Sequence, residues 1–253
     1  MSFNDEFAAS GKRIAVLCGG DSTEREVSIV SGGAVADAIK ETGLPCDLFE
    51  LERNSLPDDV DREVHIVLPV IHGKYGEDGS LSAELDQKGF AYGGCQQAAS
   101  VLCYDKLASK ALAQHMKIPL ALDRLLYPDT EVDYEELANF LGLPFIMKPR
   151  LDGSSVGLHL IGEENSYSRA LNDLMESEYL AEQYAEGIDL TVGILGGEAL
   201  GVVAIHPDGG LYDYEHKYTS GKSEYEAPAD IDDAIADQLK EWSKSIFWAC
   251  GCR

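Results

Sequence analysis

This chain of 253 residues lacks most of the short signatures by which a sequence first declares itself. No stretch approaches the roughly 20 consecutive apolar residues of a bilayer-spanning helix. Met1–Gly11 carries Asp5 and Glu6 and no apolar run, so it is not a secretory leader and reads as a loose tail. The six cysteines (Cys18, Cys46, Cys95, Cys103, Cys250, Cys252) form no C-x-x-C pair, which leaves buried free thiols in a reducing cytoplasm as the reading. Cys250-x-Cys252 stays open as a metal contact. G-x-G-x-x-G is absent, and so is G-x-x-x-x-G-K-[ST], since Gly221-Lys222-Ser223 lacks the earlier glycine. Positive charge is scarce: 20 Lys plus Arg stand against 45 Asp plus Glu, a formal net charge of −25. Such a chain repels polyanions, so general binding to nucleic acid or an anionic membrane is excluded. A soluble, cytoplasmic protein is expected, in a cell interior salty enough to screen the self-repulsion.

What is present is globular, at 45% hydrophobic and 26% charged residues, and long enough for two or three modest domains. Arg13–Cys18 reads as a buried strand ending in Gly19-Gly20. Asp21-Ser22-Thr23 supply cap chemistry for a helix through about Lys40. Cys46–Leu51 and His65–Ile71 read as further strands, and Ser80–Lys88 as a helix. This alternation predicts a small doubly wound parallel sheet with helices on both faces, its site beyond the carboxyl ends of the strands. After Gly93-Gly94 the pattern changes. Helices are expected across Gln97–His115, at Tyr134–Leu141 and at Glu164–Ser177. Strands are expected near Arg124–Tyr127, at Leu143–Lys148, Leu158–Ile161 and Tyr179–Gln183, then in a meander over Asp189–Leu195 and Ala199–His206. Asp208-Gly209-Gly210 marks a turn. Glu215–Pro228, polar and including Ser220, reads as a mobile functional loop, and a last helix as running from about Asp232 to Trp248.

Several runs could carry chemistry. In Lys148-Pro-Arg-Leu-Asp-Gly-Ser-Ser-Val-Gly157 a lysine ends a strand, Pro149 blocks its continuation, and a small-residue turn offers backbone N–H groups to an anion. That is the chemistry of a nucleoside triphosphate site, and equally that of an ordinary surface turn. His72-Gly-Lys-Tyr-Gly-Glu-Asp-Gly79 puts a histidine and an acidic pair among three glycines at a strand end. His72 is suited to a carboxylate or an acyl phosphate, or is structural; Glu77 and Asp78 also suit a helix cap. Glu24, at the start of the first long helix, could bind an amine or serve only the helix dipole. Lys106 could add a second cation for phosphates or be a solvated charge. Glu182 to Asp189 could meet a base and a ribose or decorate the surface.

These runs occur together and in one order: G-G-D-S-T-E-R-E-V-S, H-G-K-Y-G-E-D-G, D-K, K-P-R-L-D-G-S-S-V-G and Y-D-Y-E-H-K-Y. In that set the chain resembles the D-alanine–D-alanine ligases, ATP-grasp enzymes of peptidoglycan precursor synthesis, over about Arg13 to Arg253. The resemblance implies a substrate-binding domain over 11–94, a central ATP-grasp subdomain over 95–183 and a C-terminal one over 184–253. It implies that ATP phosphorylates a first D-alanine, that the amine of a second attacks the acylphosphate, and that phosphate leaves. Carried over by motif, Glu24 binds the first substrate's ammonium and His72 lies near its carboxylate. Lys106, Lys148 and Lys217 hold ATP phosphates, covered by the loop with Ser154, Ser155 and Val156. Glu182 and Asp189 receive adenine and ribose, with Asp189 one methylene shorter than the family's usual Glu. Tyr218 closes a catalytic network with Ser154 and Glu24, and favours the dipeptide over D-alanyl-D-lactate. A homodimer is the family's common assembly.

The resemblance also sets an expectation about the end of the chain. Family members continue through an R-x-D strand and an E-x-N-x-x-P-G segment, which supply an arginine and the Mg²⁺ (or Mn²⁺) ligands. Those ligands are therefore expected beyond Arg253, and a truncated ATP-grasp fold, inactive on its own, is the expectation for this length. A shortened, non-catalytic homologue that binds nucleotide or a D-amino acid is the alternative, and a ligase for another amino or hydroxy acid a third reading.

Overall fold

A computed structural model describes residues 3–128, 132–174, 177–209, 212–219 and 221–253. Gly210 of the expected turn, Ser220 of the expected loop and the end of the Glu164–Ser177 helix at 175–176 lie outside the described residues. The chain forms two compact units, one of Met1–Cys103 with Gly251–Arg253, the other of Tyr104–Cys250.

In the first unit, α1 (Phe3–Ala9) precedes β1 (Arg13–Gly19), α2 (Arg25–Glu41), β2 (Cys46–Leu51), β3 (His65–Pro69), α3 (Ser80–Lys88) and α4 (Gln97–Tyr104). The sheet order is β2-β1-β3, all parallel, with Ile14 opposite both Cys46 and Ile66. Both faces are covered, as the strand–helix alternation predicts. Ala15, Leu17 and Val67 pack with Leu81 and Leu85 of α3 on one side. Val16 packs with Ala36 of α2 on the other. That two-sided burial is why β1 reads as an unbroken apolar run rather than an alternating one. Met1–Gly11 is not the loose tail expected: Phe3–Ala9 is helical, with Asp5 and Glu6 in the first turn, where they suit the helix dipole. The Asn4 side chain also donates to the Thr42 carbonyl at 3.0 Å.

The second unit contains α5 (Lys106–His115), β4 (Asp123–Leu126), α6 (Tyr134–Leu141), β5 (Phe145–Pro149), β6 (His159–Ile161), α7 (Glu164–Leu174) and β7 (Tyr179–Gln183), then β8 (Asp189–Leu195), β9 (Glu198–Pro207), α8 (Tyr214–Tyr218), β10 (Ser223–Glu226) and α9 (Asp233–Ala249). Two antiparallel sheets result, β4-β7-β5-β6 and β10-β9-β8. Leu137 and Leu141 of α6 and Tyr167, Ala170 and Leu174 of α7 pack on Phe145, Met147, Ile161 and Ala181 of the first sheet. Phe145, Leu137 and Met147 are each fully buried. On the second sheet, the Trp248 ring of α9 lies so close to the turn at Gly197 that a β-carbon there would sit 2.5 Å from it.

Two expectations need correction. Pro149 does not stop short of the strand but ends it, opposite Tyr179, a position a proline tolerates because no further ladder bond is asked of it. Glu215–Pro228 is not one loose loop. It holds α8 and β10, and β10 acquires its backbone partners from β9, a contact no local sequence pattern announces.

Candidate active-site clusters

The first unit brings its candidates together beyond the ends of β1 and β3. Ser28 of α2 ties those ends: its hydroxyl accepts from Gly19 N at 2.8 Å and donates to the Val70 carbonyl at 2.6 Å. It is fully buried, and sequence reasoning gave it no role. The α2 helix starts at Arg25 with Glu24 at the N-cap position and no side-chain cap bond, so Asp21–Thr23 do not cap it as expected. Ser22 instead spans the cluster, donating to the His72 carbonyl at 2.8 Å and accepting from Glu24 N at 3.2 Å. Glu24 is 2% exposed, and a β-carbon on residue 73 would lie 2.8 Å from its Oε2. With φ at +72°, position 73 is glycine for both reasons. Glycine 76 is tighter still: a β-carbon would fall 2.2 Å from the Ile71 carbonyl oxygen.

His72 Nδ1 lies 3.6 Å from Glu77 Oε1, while its Nε2 is buried without a hydrogen-bond partner among the described residues. The Glu77 carboxylate raises the imidazole pKa above its ordinary value against the opposing effect of burial, with Glu24 adding to the rise. Glu77 therefore serves His72, while Asp78 accepts from Ser80 N at the start of α3.

The second unit collects lysines. Asp105 caps α5, accepting from Leu107 N at 3.0 Å and Ala108 N at 3.3 Å. The same carboxylate takes Arg150 in a two-pronged pair, Nε at 2.9 Å and Nη2 at 2.5 Å, and Arg150 reaches Glu178 at 2.6 Å. This fork fixes Lys106, the next residue, whose Nζ donates to the Asp152 carbonyl at 2.6 Å. Burial lowers the Lys106 pKa, and the nearby Lys148 and Lys217 ammonium groups contribute; Asp152 and Glu182 oppose them.

Lys148 of β5 pairs with Glu182 Oε2, and Lys110 of α5 meets Glu182 Oε1 at 2.5 Å. Burial alone would push the Glu182 carboxyl up, but the two lysines outweigh it and hold its pKa below the usual value. Lys110 was missed in the sequence, where a lysine one turn after Lys106 is an ordinary surface charge. Its partners, Glu182 and Asp123, become visible only in the fold.

The 153–157 turn faces the second sheet's connection. Ser155 Oγ donates to the Tyr212 carbonyl at 3.0 Å, and the Ser154 and Tyr218 hydroxyls hydrogen-bond to each other. Ser154 and Ser155 both have left-handed backbones, φ +51° and +58°, conformations that carry strain in a non-glycine residue. Val156 N closes the turn on the Gly153 carbonyl at 3.1 Å. Lys217 Nζ lies 5.3 Å from the centre of the Tyr212 ring. His216 braces this segment, with Nδ1 2.6 Å from Asp213 Oδ1 and Nε2 2.5 Å from the Asp208 carbonyl. Asp189 opens β8, exposed and opposite Ile205. Among the described residues no group of three or more His, Cys, Asp or Glu side chains is placed to hold a metal ion; Cys252 instead approaches Cys103, 3.8 Å between sulfurs.

The solved D-alanine–D-alanine ligase of Bacillus anthracis is similar to this chain, with a TM-score of 0.79 at 27% identity, over 95% of this chain and 79% of that one. Its complex with ATP shares the fold at a TM-score of 0.80 and 23% identity, over 95% and 78%. The VanG D-Ala:D-Ser ligase of Enterococcus faecalis gives a TM-score of 0.78 at 28% identity, over 96% and 83%. The architecture is thus that of the ATP-grasp enzymes behind a doubly wound parallel-sheet domain. Residues 118–253 match the family model described as D-ala D-ala ligase C-terminus. The curated D-alanine–D-alanine ligase of Nitrosospira multiformis is 39% identical over 245 residues, 95% of this chain and 78% of that relative. That of Actinobacillus succinogenes is 35% identical over 246 residues, 96% and 80%. The chain belongs to the D-alanine–D-alanine ligase family.

Proposed function

We infer that the protein is an ATP-dependent ligase that joins two D-alanines into D-alanyl-D-alanine through an acylphosphate, for cell-wall precursor synthesis. One observation carries the reading. The chain resembles D-alanine–D-alanine ligases along nearly its whole length, at up to 39% identity.

In the first unit, Glu24 would hold the ammonium of the first D-alanine. The raised pKa of His72 and its Nε2, without a hydrogen-bond partner among the described residues, suit it to the carboxylate and then to the acylphosphate. In the second unit, Lys106, Lys148 and Lys217 would take the ATP phosphates under the turn of Ser154, Ser155 and Val156, with Glu182 and Asp189 toward adenine and ribose. The Ser154–Tyr218 contact keeps the Lys217 segment against that turn. The division into 11–94, 95–183 and 184–253 is part of the same proposal. ATP transfers its terminal phosphoryl group to the first carboxylate and leaves as ADP; the second amine attacks and displaces phosphate. The protein's share is positioning and charge stabilisation. The described residues offer no ligand cluster for the Mg²⁺ (or Mn²⁺) that the family resemblance implies.

The retained side chains favour this reading over a non-catalytic binding module. Phosphate release and dipeptide formation, followed together with ATP and D-alanine, test it. D-alanine-dependent release with matching dipeptide would support the ligase. ATP binding that D-alanine never turns into dipeptide would favour the module.

A further inference from the structure

We propose that Lys110 is a positioning residue that competes with Lys148 for the Glu182 carboxylate and so sets how readily Lys148 is released to a nucleotide's phosphates. The inference rests on the reading above that Lys148 binds phosphate.

The Glu182 carboxylate is divided between two ammonium groups, one oxygen each. The two are held differently. Lys110 is 15% exposed and sits among three acceptors: Glu182 at 2.5 Å, Asp123 at 3.0 Å and the Ala121 carbonyl at 3.1 Å. It has no reason to leave. Lys148 is 27% exposed and, like Lys217, lies near enough to Lys106 for its charge to lower the Lys106 pKa. A polyphosphate arriving there draws Lys148 away. A buried carboxylate stripped of its last partner is strongly destabilised. Lys110 removes that obstacle by remaining.

The proposal has a pH signature. Glu182 is faced by Lys110 and Lys106 from α5 and by Lys148 from β5; Asp123 of β4 acts on it through Lys110, and Lys217 of α8 acts through Lys106. Without Lys110, an ionised Glu182 has, among the described residues, only Lys148 as an ion-pair partner and keeps it. The same carboxyl, losing a cation in a buried place, protonates at a higher pH than before, and protonation frees Lys148. The binding defect of Lys110→Met is therefore worst at high pH and eases as pH falls, which a general loss of packing would not produce.

The test is calorimetric binding of ATP, and of adenosine as a phosphate-free control, to the 253-residue protein and its variants. Lys110→Met should raise the ATP Kd about tenfold near pH 8 but threefold or less near pH 6, with adenosine unaffected. Lys110→Arg should stay within about threefold of wild type. Asp123→Asn, which removes the carboxylate that competes with Glu182 for Lys110, should tighten ATP by about threefold. Equal loss at both pH values, or a parallel loss of adenosine, overturns the proposal. Should Lys110→Met fail to fold, Asp123→Asn decides: unchanged or weaker ATP binding overturns it. A wild-type protein that binds no ATP would instead sink the nucleotide reading itself.

Discussion

The hydroxyls of Ser154 and Tyr218 hydrogen-bond to each other, although 64 positions separate the two residues. The pair joins the phosphate-side turn to the α8 segment that carries Lys217. Tyr218→Phe removes one partner and leaves the ring. On the proposed chemistry it should lower dipeptide formation and raise D-lactate use relative to D-alanine. Product analysis with both acceptors present checks this; an unchanged ratio denies Tyr218 a part in acceptor choice.

His72 owes its raised pKa first to Glu77. Glu77→Gln should bring the imidazole back toward its ordinary value of 6.5. Substrate affinity should then fall near neutral pH and recover in acid, where both proteins carry imidazolium. In stability terms, a raised histidine contributes fully below its unfolded pKa and loses that contribution as pH rises through the folded one. The variant should thus be less stable than wild type only at the acid side of neutrality. Parallel D-alanine titrations and melting curves over pH measure both.

Asp105 caps α5 and receives Arg150. Asp105→Ala should cost about 1 kcal/mol for the cap alone, and about 3 kcal/mol in all once Arg150 loses that partner. Its pKa is lowered, first by Arg150. The stabilisation is therefore present above the unfolded carboxylate pKa and disappears as pH falls through the folded value. Urea denaturation at neutral pH and in acid should show the gap narrowing in acid.

The net charge of −25 makes a separate prediction. Screening should relieve self-repulsion, so the melting temperature should climb from low salt to molar KCl. A flat or falling profile would remove the inference of a salty interior.

Sequence reading succeeded where one periodicity or one glycine pattern governs a segment. β1 and β5 are legible as apolar runs, and the His72–Gly79 segment by glycine spacing that leaves few backbone alternatives. It failed where a residue's meaning lies in a distant partner. Lys110 meets Glu182 72 positions later. Arg150 meets Asp105 45 positions earlier. α8 and β10 are short and polar, and β10 is stabilised through pairing with β9 that local propensity does not encode. Ser28 looked like one more small residue of a helix until its hydroxyl was found tying Gly19 to Val70.

The crowding at Gly76 bears on engineering. Any side chain there meets the Ile71 carbonyl, main chain that cannot swing aside, so a saturation library should recover only glycine at that codon. Lys74, exposed, offers the variability that this segment can accept, whereas Glu77 is tied to His72. A library aimed at this segment would do better to diversify the Lys74 codon than to spread mutations evenly across the run.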